Sequence, residues 1–229
     1  ILQKHKIHIE RESYHTFYIP GNQTYSATEH HLEGDWSNGA FMLTAGVIHG
    51  DLKVKGLHPS SIEGDQKILE ALSTAGATYM FQNDQYKIKE TKKLHSFTFD
   101  ATDTPDLFPP LAALAAYCRG TSALKGTKRL IYKESNRARS IKQEFEKQGI
   151  EVNLKEEDTM LIKGSRPSGG FFHSHNDHRI VMAGTLLALK SSGPVTLQNH
   201  QAVEKSYPDF FEDMRKIHLK TKHTTNSCL

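Results

Sequence analysis

The segment Asp177-His178-Arg179-Ile180-Val181-Met182-Ala183 joins a helix-capping residue to an apolar run. An aspartate at such a position accepts hydrogen bonds from the first free backbone N–H groups of a helix. Two similar segments lie upstream, Asp35-Trp36-Ser37-Asn38-Gly39-Ala40-Phe41 and the run from Asp106 to Ala116. The three aspartates are evenly spaced, 71 residues apart in both intervals. This spacing predicts three copies of one unit, each of which opens with a helix.

The predicted elements after each first helix follow one order. A glycine and a short β-prone stretch come first, the clearest stretches being residues 52–54 and 195–197. A second helix follows, at residues 65–76, 136–149 and 208–217. The first two units then add strand pairs, at residues 78–81 with 86–88 and at 152–154 with 160–162. Because no such unit can bury its apolar face alone, the pattern predicts a pseudo-threefold packed α/β domain.

Composition limits the possible protein classes. The 229 residues are 37% hydrophobic, enough for one large or two small folded domains, and contain no run of 18 apolar residues that would predict a membrane span. A net charge of +3 is too small to indicate a nucleic-acid partner. Cys118 and Cys228 form neither a disulfide framework nor a zinc ligand set, which favours a reducing cytoplasm.

The two ends of the chain differ from its middle. The N-terminus lacks both an initiator Met and the apolar core of a signal peptide, so we expect it to start within a longer protein. Residues 1–31 contain two extended pieces, at 6–9 and 17–19, and precede the repeated domain at 32–217. Residues 218–229 are polar and lack periodicity, which predicts a loose tail.

Charged residues cluster at the predicted helix starts. Lys133-Glu134-Ser135-Asn136-Arg137 follows a strand-like run at residues 128–132, and Ser135 is the predicted N-cap of the next helix. If the helix starts converge on one face, Arg137, Arg179 and Lys205 supply the charge to bind a phosphate and a carboxylate. Asp106 and Glu134 then supply two carboxylates for proton transfer.

Two glycine- and histidine-rich stretches allow other interpretations. Residues 170–178 hold three histidines and Asp177, but their spacing matches no standard zinc pattern, so a polar loop entering a helix is favoured over a metal site. Residues 164–170 could suggest a phosphate loop, yet they lack the Gly-Lys-Ser/Thr ending. A flexible connection is favoured there.

Five motifs in register carry a family resemblance: residues 32–37, Pro105-Asp106, residues 133–137, residues 176–183, and Lys205-Ser206-Tyr207-Pro208-Asp209-Phe210-Phe211. Together they resemble the C-terminal half of the EPSP synthase family, the 3-phosphoshikimate 1-carboxyvinyltransferases of the shikimate pathway. The order and spacing match from about Ile1 to Ile217. The resemblance implies an inside-out α/β barrel domain built from three βαβαββ units, with the site in a cleft against a second domain.

The resemblance also implies the reaction and its residues. The enolpyruvyl group of phosphoenolpyruvate passes to the 5-hydroxyl of shikimate 3-phosphate, with release of phosphate and without a metal or organic cofactor. Asp106 is implied as general base and ligand of shikimate 3-phosphate, Glu134 as proton donor or acceptor at the methylene carbon, and Lys133 as a shikimate-phosphate contact. Arg137, Arg179 and Lys205 are implied to bind phosphoenolpyruvate.

Two departures from the family pattern affect these expectations. Asn136 stands where the family usually has aspartate. The family's N-terminal half, with several substrate-binding segments, lies upstream of Ile1, and the resemblance implies that residues 1–31 are the end of that domain plus the crossover. We therefore expect a monomeric enzyme of which this part alone is inactive. Two other functions compete: the sister transferase that acts on UDP-N-acetylglucosamine, and a non-catalytic anion-binding module of the same fold.

Overall fold

A computed structural model describes residues 1–154 and 157–217. The chain divides into two compact units, Ile1–Glu33 and Gly34–Leu229. The predicted tail at residues 218–229 lies outside the described residues. Within the described ranges, no helix has both the length and the apolar character that crossing a membrane requires.

The first unit is small and has little regular structure. A 3₁₀ turn at Leu2–His5 precedes a two-stranded antiparallel ribbon of β1 (Glu10–Arg11) and β2 (Phe17–Tyr18). The extended piece predicted at residues 17–19 overlaps β2, whereas residues 6–9 form no strand. There, the backbone N–H and C=O of His8 bond to the side chain of Gln23 instead of to a neighbouring strand.

The second unit alternates helices and strands. Its described α-helices are α1 (Trp36–His49), α2 (Ile68–Thr74), α3 (Phe108–Tyr117), α4 (Arg137–Lys147), α5 (His178–Ala188) and α6 (Phe210–Lys216). Its described strands are β3 (Leu52–Lys55), β4 (Tyr79–Phe81), β5 (Gln85–Ile88), β6 (Thr98–Asp100), β7 (Thr121–Lys125), β8 (Glu151–Asn153), β9 (Thr159–Lys163), β10 (Gly170–His173) and β11 (Val195–Gln198).

These strands form three small sheets. One has the order β3-β5-β4 and is antiparallel throughout. The second has the order β6-β7-β9-β8, in which β6 and β7 are parallel and the other pairs antiparallel. In the third, β10 pairs in parallel with β11. In each of the first two sheets, the strand that comes last in the sequence, β5 or β9, therefore lies between two earlier strands.

Three helices occupy the centre of the unit. Helices α1, α3 and α5 pack against one another, and nearly every residue of each is buried. A helix that is apolar on all sides is typical of a protein interior, whereas an amphipathic helix covers a surface. Helix α4 is of the second kind, since it buries Ile141 and Phe145 but exposes Arg139. The second unit is thus a mixed α/β structure with helices at its core.

The two ends of helices α3 and α5 are held by different kinds of interaction. At the C-terminal end of α3, the Tyr117 hydroxyl donates to the carbonyl of Leu187 near the end of α5, at 2.6 Å. It also lies 3.3 Å from the backbone N–H of Lys190, which donates to it. Uncharged hydrogen bonds therefore join α3 to α5 at this end, whereas charged side chains gather at the opposite end.

The strand predicted at residues 128–132 is wrong. The strand lies earlier, at β7, and Thr127–Leu130 forms a 3₁₀ turn after Gly126, whose φ of 107° lies outside the sheet region. Backbone N–H groups at this turn donate to Asp158, including Lys128 N to Oδ1 at 2.7 Å. Only Leu130 of the apolar run is buried, and Tyr132 is 91% exposed. Apolar residue types alone could not reveal this.

Two further local predictions are corrected. The N-cap of α4 is Asn136, whose side-chain oxygen accepts from Arg139 N, while Ser135 bonds elsewhere. Asparagine caps helices as well as aspartate does, so the departure at residue 136 preserves the helix start. Residues 170–173 are a strand instead of a polar loop.

The connection at residues 164–170 is bound to the core by its backbone. Gly164 N donates to Gly120 O at 3.0 Å, and Ser165 N donates to Ala116 O at 2.9 Å. A Cβ atom added to Gly164 would lie far inside the van der Waals radius of the Cys118 carbonyl oxygen. The start of this segment is therefore hydrogen-bonded to the end of α3, which contradicts the flexible connection expected there.

Replacing Gly164 by alanine should destabilise the second unit. The new methyl group would meet backbone atoms of Cys118, which cannot rotate away, so we expect the free energy of unfolding to fall by at least about 2 kcal/mol. Urea denaturation followed by circular dichroism measures this. The control Ser168→Ala, an exposed position in the same connection, should change it by less than about 0.5 kcal/mol. Equal stability of the two variants would contradict the close approach.

Candidate functional site

Acidic residues mark the starts of the three central helices. Asp35 caps α1 by accepting from the N–H groups of Ser37 and Asn38, and Asp177 caps α5 by accepting from Arg179 N. Asp106 lies in the 3₁₀ turn Pro105–Leu107, directly before α3. The two caps, Asp35 and Asp177, satisfy free backbone N–H groups at the starts of α1 and α5. They also bring carboxylates to one end of the helix cluster.

The guanidinium of Arg137 joins three of the carboxylates at this end. Its Nε donates to Asp177 Oδ2 at 2.9 Å, its Nη1 to Asp106 Oδ1 at 2.6 Å, and its Nη2 to Glu134 Oε2. Only 1% of the Arg137 side chain is exposed. A buried cation of this kind requires several anionic partners, since burial alone strongly disfavours a charge.

Asp106 contacts two more cations. Lys133 Nζ lies 3.0 Å from Asp106 Oδ1, and Arg179 Nη2 lies 3.7 Å from Oδ2. Burial favours the protonated carboxyl, but Arg179, Lys133 and Arg137 together outweigh it and hold the Asp106 pKa below its ordinary value. Asp106 is therefore a carboxylate at neutral pH, able to accept a proton or a hydrogen bond.

Asp177 was predicted only as a helix start, yet it is the most deeply buried carboxylate of the site. Its side chain is 0% exposed and accepts from Arg137, from Arg179 N and from the Ser135 hydroxyl at 3.0 Å. Burial raises the Asp177 pKa, but these hydrogen bonds and the charge of Arg137 together lower it by more. The net shift is therefore downward. The sequence predicted Asp177 as a helix cap, but it did not predict the bond between Asp177 and Arg137.

His178 lies beside the predicted acid–base residue. Its Nδ1 is 3.8 Å from Glu134 Oε1 and 3.9 Å from Asp177 Oδ1, and it is buried without a hydrogen-bond partner. Burial, and the charge of Arg179, lower the His178 pKa, so the imidazole is neutral at pH 7. Glu134 itself is partly exposed and so remains accessible to a ligand.

Lys205 is held near the start of α5. Its Nζ donates to the carbonyl of Asn176 at 2.7 Å, and its side chain is exposed. The next residue, Ser206, contacts the Asn38 side chain on α1, which places this segment across two helix starts. An ammonium group has three protons, so the bond to Asn176 leaves donors for an anion.

The histidines of residues 170–178 do not meet at one point. His173 and His175 lie together, with ring centroids 4.9 Å apart, and His175 bonds to Glu144, whereas His178 faces Glu134. Among residues 1–154 and 157–217, no three side chains of metal-ligand type are grouped as a metal site requires.

Asp65, predicted only as the start of a helix, is a further carboxyl group of the site, close enough to Asp106 and Arg179 for their charges to affect it. It accepts a hydrogen bond from the Ser37 hydroxyl. Burial raises its pKa, and the negative charges of Asp106 and Asp35 raise it further, against the opposing effects of Ser37 and Arg179. The site thus contains carboxyl groups whose pKa values are shifted in opposite directions, as acid–base sites require.

Arg137→Met should destabilise the second unit strongly. The methionine would fill a similar volume but leave Asp177 buried without its cation, and breaking a buried pair costs about 3–5 kcal/mol. Urea denaturation at pH 7 should show this loss. Arg139→Met, on the exposed face of α4, is the control and should stay within about 0.5 kcal/mol of the parent. A loss below about 1 kcal/mol in Arg137→Met would mean that the cluster is not a stabilising buried network.

Asp65→Asn should raise stability at neutral pH. Because the folded pKa of Asp65 is raised, the folded state binds this proton more tightly than the unfolded chain does, and stability falls as pH rises above about 3.9. Asparagine keeps an acceptor for Ser37 and removes the charge. The variant should therefore unfold at a higher temperature than the parent at pH 7, with a smaller difference at pH 4. The control is Asp51→Asn, at an exposed position; a parent-like midpoint in Asp65→Asn at pH 7 would contradict the assignment.

Sequence relatives point to one family. A family model described as EPSP synthase (3-phosphoshikimate 1-carboxyvinyltransferase) matches residues 1–214. The 3-phosphoshikimate 1-carboxyvinyltransferase of Clostridium novyi (strain NT) is 37% identical over 217 residues, which make up 94% of this chain and 49% of that protein. The protein of the same name from Methanosarcina acetivorans is 36% identical over 221 residues, 95% of this chain and 51% of its own. The chain thus spans about half the length of the curated relatives it matches.

Solved structures agree with these relatives. An EPSP synthase from Acinetobacter baumannii superposes with a TM-score of 0.80 at 25% identity, over 94% of this chain and 53% of that one. The enolpyruvyl transferase NikO from Streptomyces tendae, at 22% identity and a TM-score of 0.76, shows the same fold over 97% of this chain and 52% of its own. Together with the match over residues 1–214, these similarities show that the chain belongs to the EPSP synthase (3-phosphoshikimate 1-carboxyvinyltransferase) family.

Proposed function

We propose that the protein to which this chain belongs transfers the enolpyruvyl group of phosphoenolpyruvate to the 5-hydroxyl of shikimate 3-phosphate. The observation that carries the proposal is the pair Asp106 and Glu134, two carboxylates held by one buried guanidinium, that of Arg137. The relatives' name describes a transfer of this kind. A purely anion-binding module needs no accessible carboxylate such as Glu134 beside its cations, because a carboxylate repels an anionic ligand.

The proposed roles follow from the contacts of each group. Asp106, kept ionised by three cations, accepts the proton of the substrate hydroxyl while the hydroxyl oxygen forms a bond to C2 of phosphoenolpyruvate. Glu134, partly exposed and in its protonated form, gives a proton to the methylene carbon C3 as this bond forms and takes one back when the C2–O bond to phosphate breaks. The proton on Asp106 then passes to the leaving phosphate. The neutral His178 beside Glu134 adds no positive charge there.

The cationic side chains of the site differ in their exposure to solvent. Lys133 and Lys205 are the more exposed, whereas Arg179 is mostly buried and Arg137 is almost completely so. We propose that Lys133 contacts the phosphate of shikimate 3-phosphate and that Arg179, Lys205 and Arg137 bind phosphoenolpyruvate. Arg137 can do so only if one of its three carboxylate contacts opens, since the guanidinium faces all of them. Fixed cations also stabilise charge that develops on the leaving phosphate.

The order of helices and strands supports a repeated architecture. The series β6-α3-β7-α4-β8-β9 follows the order βαβαββ, and α1-β3-α2-β4-β5 repeats it from the first helix onward with the same strand order. The series β10-α5-β11-α6 supplies a third, shorter copy. We propose that residues 32–217 form an inside-out barrel domain of these units and that residues 1–31 end the preceding domain. The upstream half completes a cytoplasmic, monomeric enzyme, and this chain alone is inactive.

The test measures phosphate release from phosphoenolpyruvate and shikimate 3-phosphate by this chain joined to its upstream half. Glu134→Gln should lower kcat by at least about 100-fold, since proton transfer by a placed side chain contributes about 10²–10⁴. Glu151→Gln, at an exposed position on β8, should leave it unchanged. This chain alone should release no phosphate.

Two outcomes would overturn the assignment. Release that requires UDP-N-acetylglucosamine instead of shikimate 3-phosphate would move the protein to the sister transferase. Unchanged kcat in Glu134→Gln would remove only that residue from the proton transfers, whereas no phosphate release with either acceptor would leave the anion-binding interpretation. The same cluster of cations would then serve to bind a ligand without reaction.

A further inference from the structure

Glu144 is a fully buried carboxylate outside the cluster around Arg137. It lies on α4, two turns after Arg137, and its side chain is 0% exposed. Lys147 Nζ donates to both of its oxygens, at 2.8 and 3.0 Å. Burial raises the Glu144 pKa, but its hydrogen bonds and the charge of Lys147 outweigh this effect, so the net shift is downward. Glu144 is thus an ionised acceptor inside the protein.

The other partners of Glu144 belong to the segment that leads into α5. Oε2 accepts from the backbone N–H of His173 at 2.8 Å, and Oε1 lies 2.8 Å from Nε2 of His175. A carboxylate only accepts, so Nε2 of His175 carries the proton in this bond. One side chain of α4 therefore binds the end of β10 and the turn that follows it.

This turn has an unusual backbone. His175 and Asn176 have φ values of 50° and 60°, in the left-handed region that residues other than glycine rarely adopt. Such a conformation persists where surrounding contacts over-determine it. Besides Glu144, the contacts are the donation of His175 N to His173 Nδ1 at 2.9 Å and of Asn176 N to Ser174 Oγ at 3.1 Å.

The turn carries two groups of the proposed active site. The carbonyl of Asn176 accepts from Lys205 Nζ, and the next residue, Asp177, caps α5 and binds Arg137. Helix α4 thus holds this segment at two points, by Arg137 at Asp177 and by Glu144 at His173 and His175. Within residues 1–154 and 157–217, the side chain of Glu144 bonds to Lys147, His173 and His175 and not to Asp106 or Glu134, so any effect on chemistry must act through the turn.

From these contacts we infer that Glu144 is a positioning residue, which holds the turn at residues 173–176 so that Lys205 and Asp177 occupy their places in the site. The inference rests on the proposed function in one respect, that Lys205 binds phosphoenolpyruvate. The positioning of the turn itself does not depend on it. Small displacements of binding groups are costly, since an error of about 1 Å can reduce a rate about 100-fold.

The first experiment measures hydrogen exchange of the amides of residues 173–178 in this chain. Glu144→Gln keeps the volume and one acceptor but removes the charge, and it should speed exchange in this segment by about tenfold. Glu146→Gln is the matched control, two residues away on the exposed side of α4, and should leave exchange unchanged. His175→Ala removes the partner, and its double variant with Glu144→Gln should be no worse than the worse single variant. Parent-like exchange in Glu144→Gln would overturn the inference.

The second experiment separates positioning from a general loss of stability. In this chain joined to its upstream half, Glu144→Gln should raise KM for phosphoenolpyruvate about tenfold and change kcat by less than about threefold. Glu146→Gln should change neither. An unaltered KM in Glu144→Gln, or an equal loss in the control, would overturn the inference. If the parent releases no phosphate, the proposed function fails, and the exchange of residues 173–178 alone decides whether Glu144 holds the turn.

Discussion

The structure of the site depends on burial of one positive charge. The guanidinium of Arg137 cannot lie in a protein interior unless anions surround it, and Asp177, Asp106 and Glu134 do so. These partners come from the starts of α5, α3 and α4, three elements far apart in the sequence. A single side chain therefore fixes the mutual positions of three helix starts. As a consequence, the N–H groups of Arg137 donate to carboxylates of the protein instead of to a ligand.

The apolar helices explain why the charges gather where they do. Helices α1, α3 and α5 are buried on all sides, so their lengths can carry no charged side chain without a partner. Polar groups are left for the helix ends, where free backbone N–H groups favour carboxylates. The same pattern that builds the core thus delivers Asp35, Asp106 and Asp177 to one end of it. Fold and candidate site follow from one arrangement of residues.

Sequence reasoning found the elements whose signals are local. Capping aspartates and long apolar runs predicted α1, α3 and α5 near their observed positions, and the strand pairs β4 with β5 and β8 with β9 were found within a residue or two. It placed a strand at residues 128–132, because the contacts of Asp158 that form a turn there come from a distant residue. It took residues 170–173 for a loop, because their pairing with β11 is equally remote.

The site shows the same division between local and distant signals. Charged residue types identified Asp106, Lys133, Glu134, Arg137, Arg179 and Lys205 as candidates, and the structure brings five of them into one ion-pair cluster, with Lys205 next to it at Asn176. Their substrate roles stay predictions. The burial of Arg137 and the contacts of Asp65 and Glu144 depend on packing between elements. No spacing within one motif encodes such contacts.

The Tyr117 hydroxyl joins α3 and α5 at one end only. By bonding to Leu187 O and Lys190 N, it joins α3 to α5 at the end away from the charges, through groups that do not titrate near neutral pH. Sliding α5 along α3 would break these bonds, whereas a small tilt about them would not. At their charged ends, α3 and α5 are joined by the pair of Arg179 with Asp106 instead, so a bound anion would act on the end of the helix pair that Tyr117 does not hold.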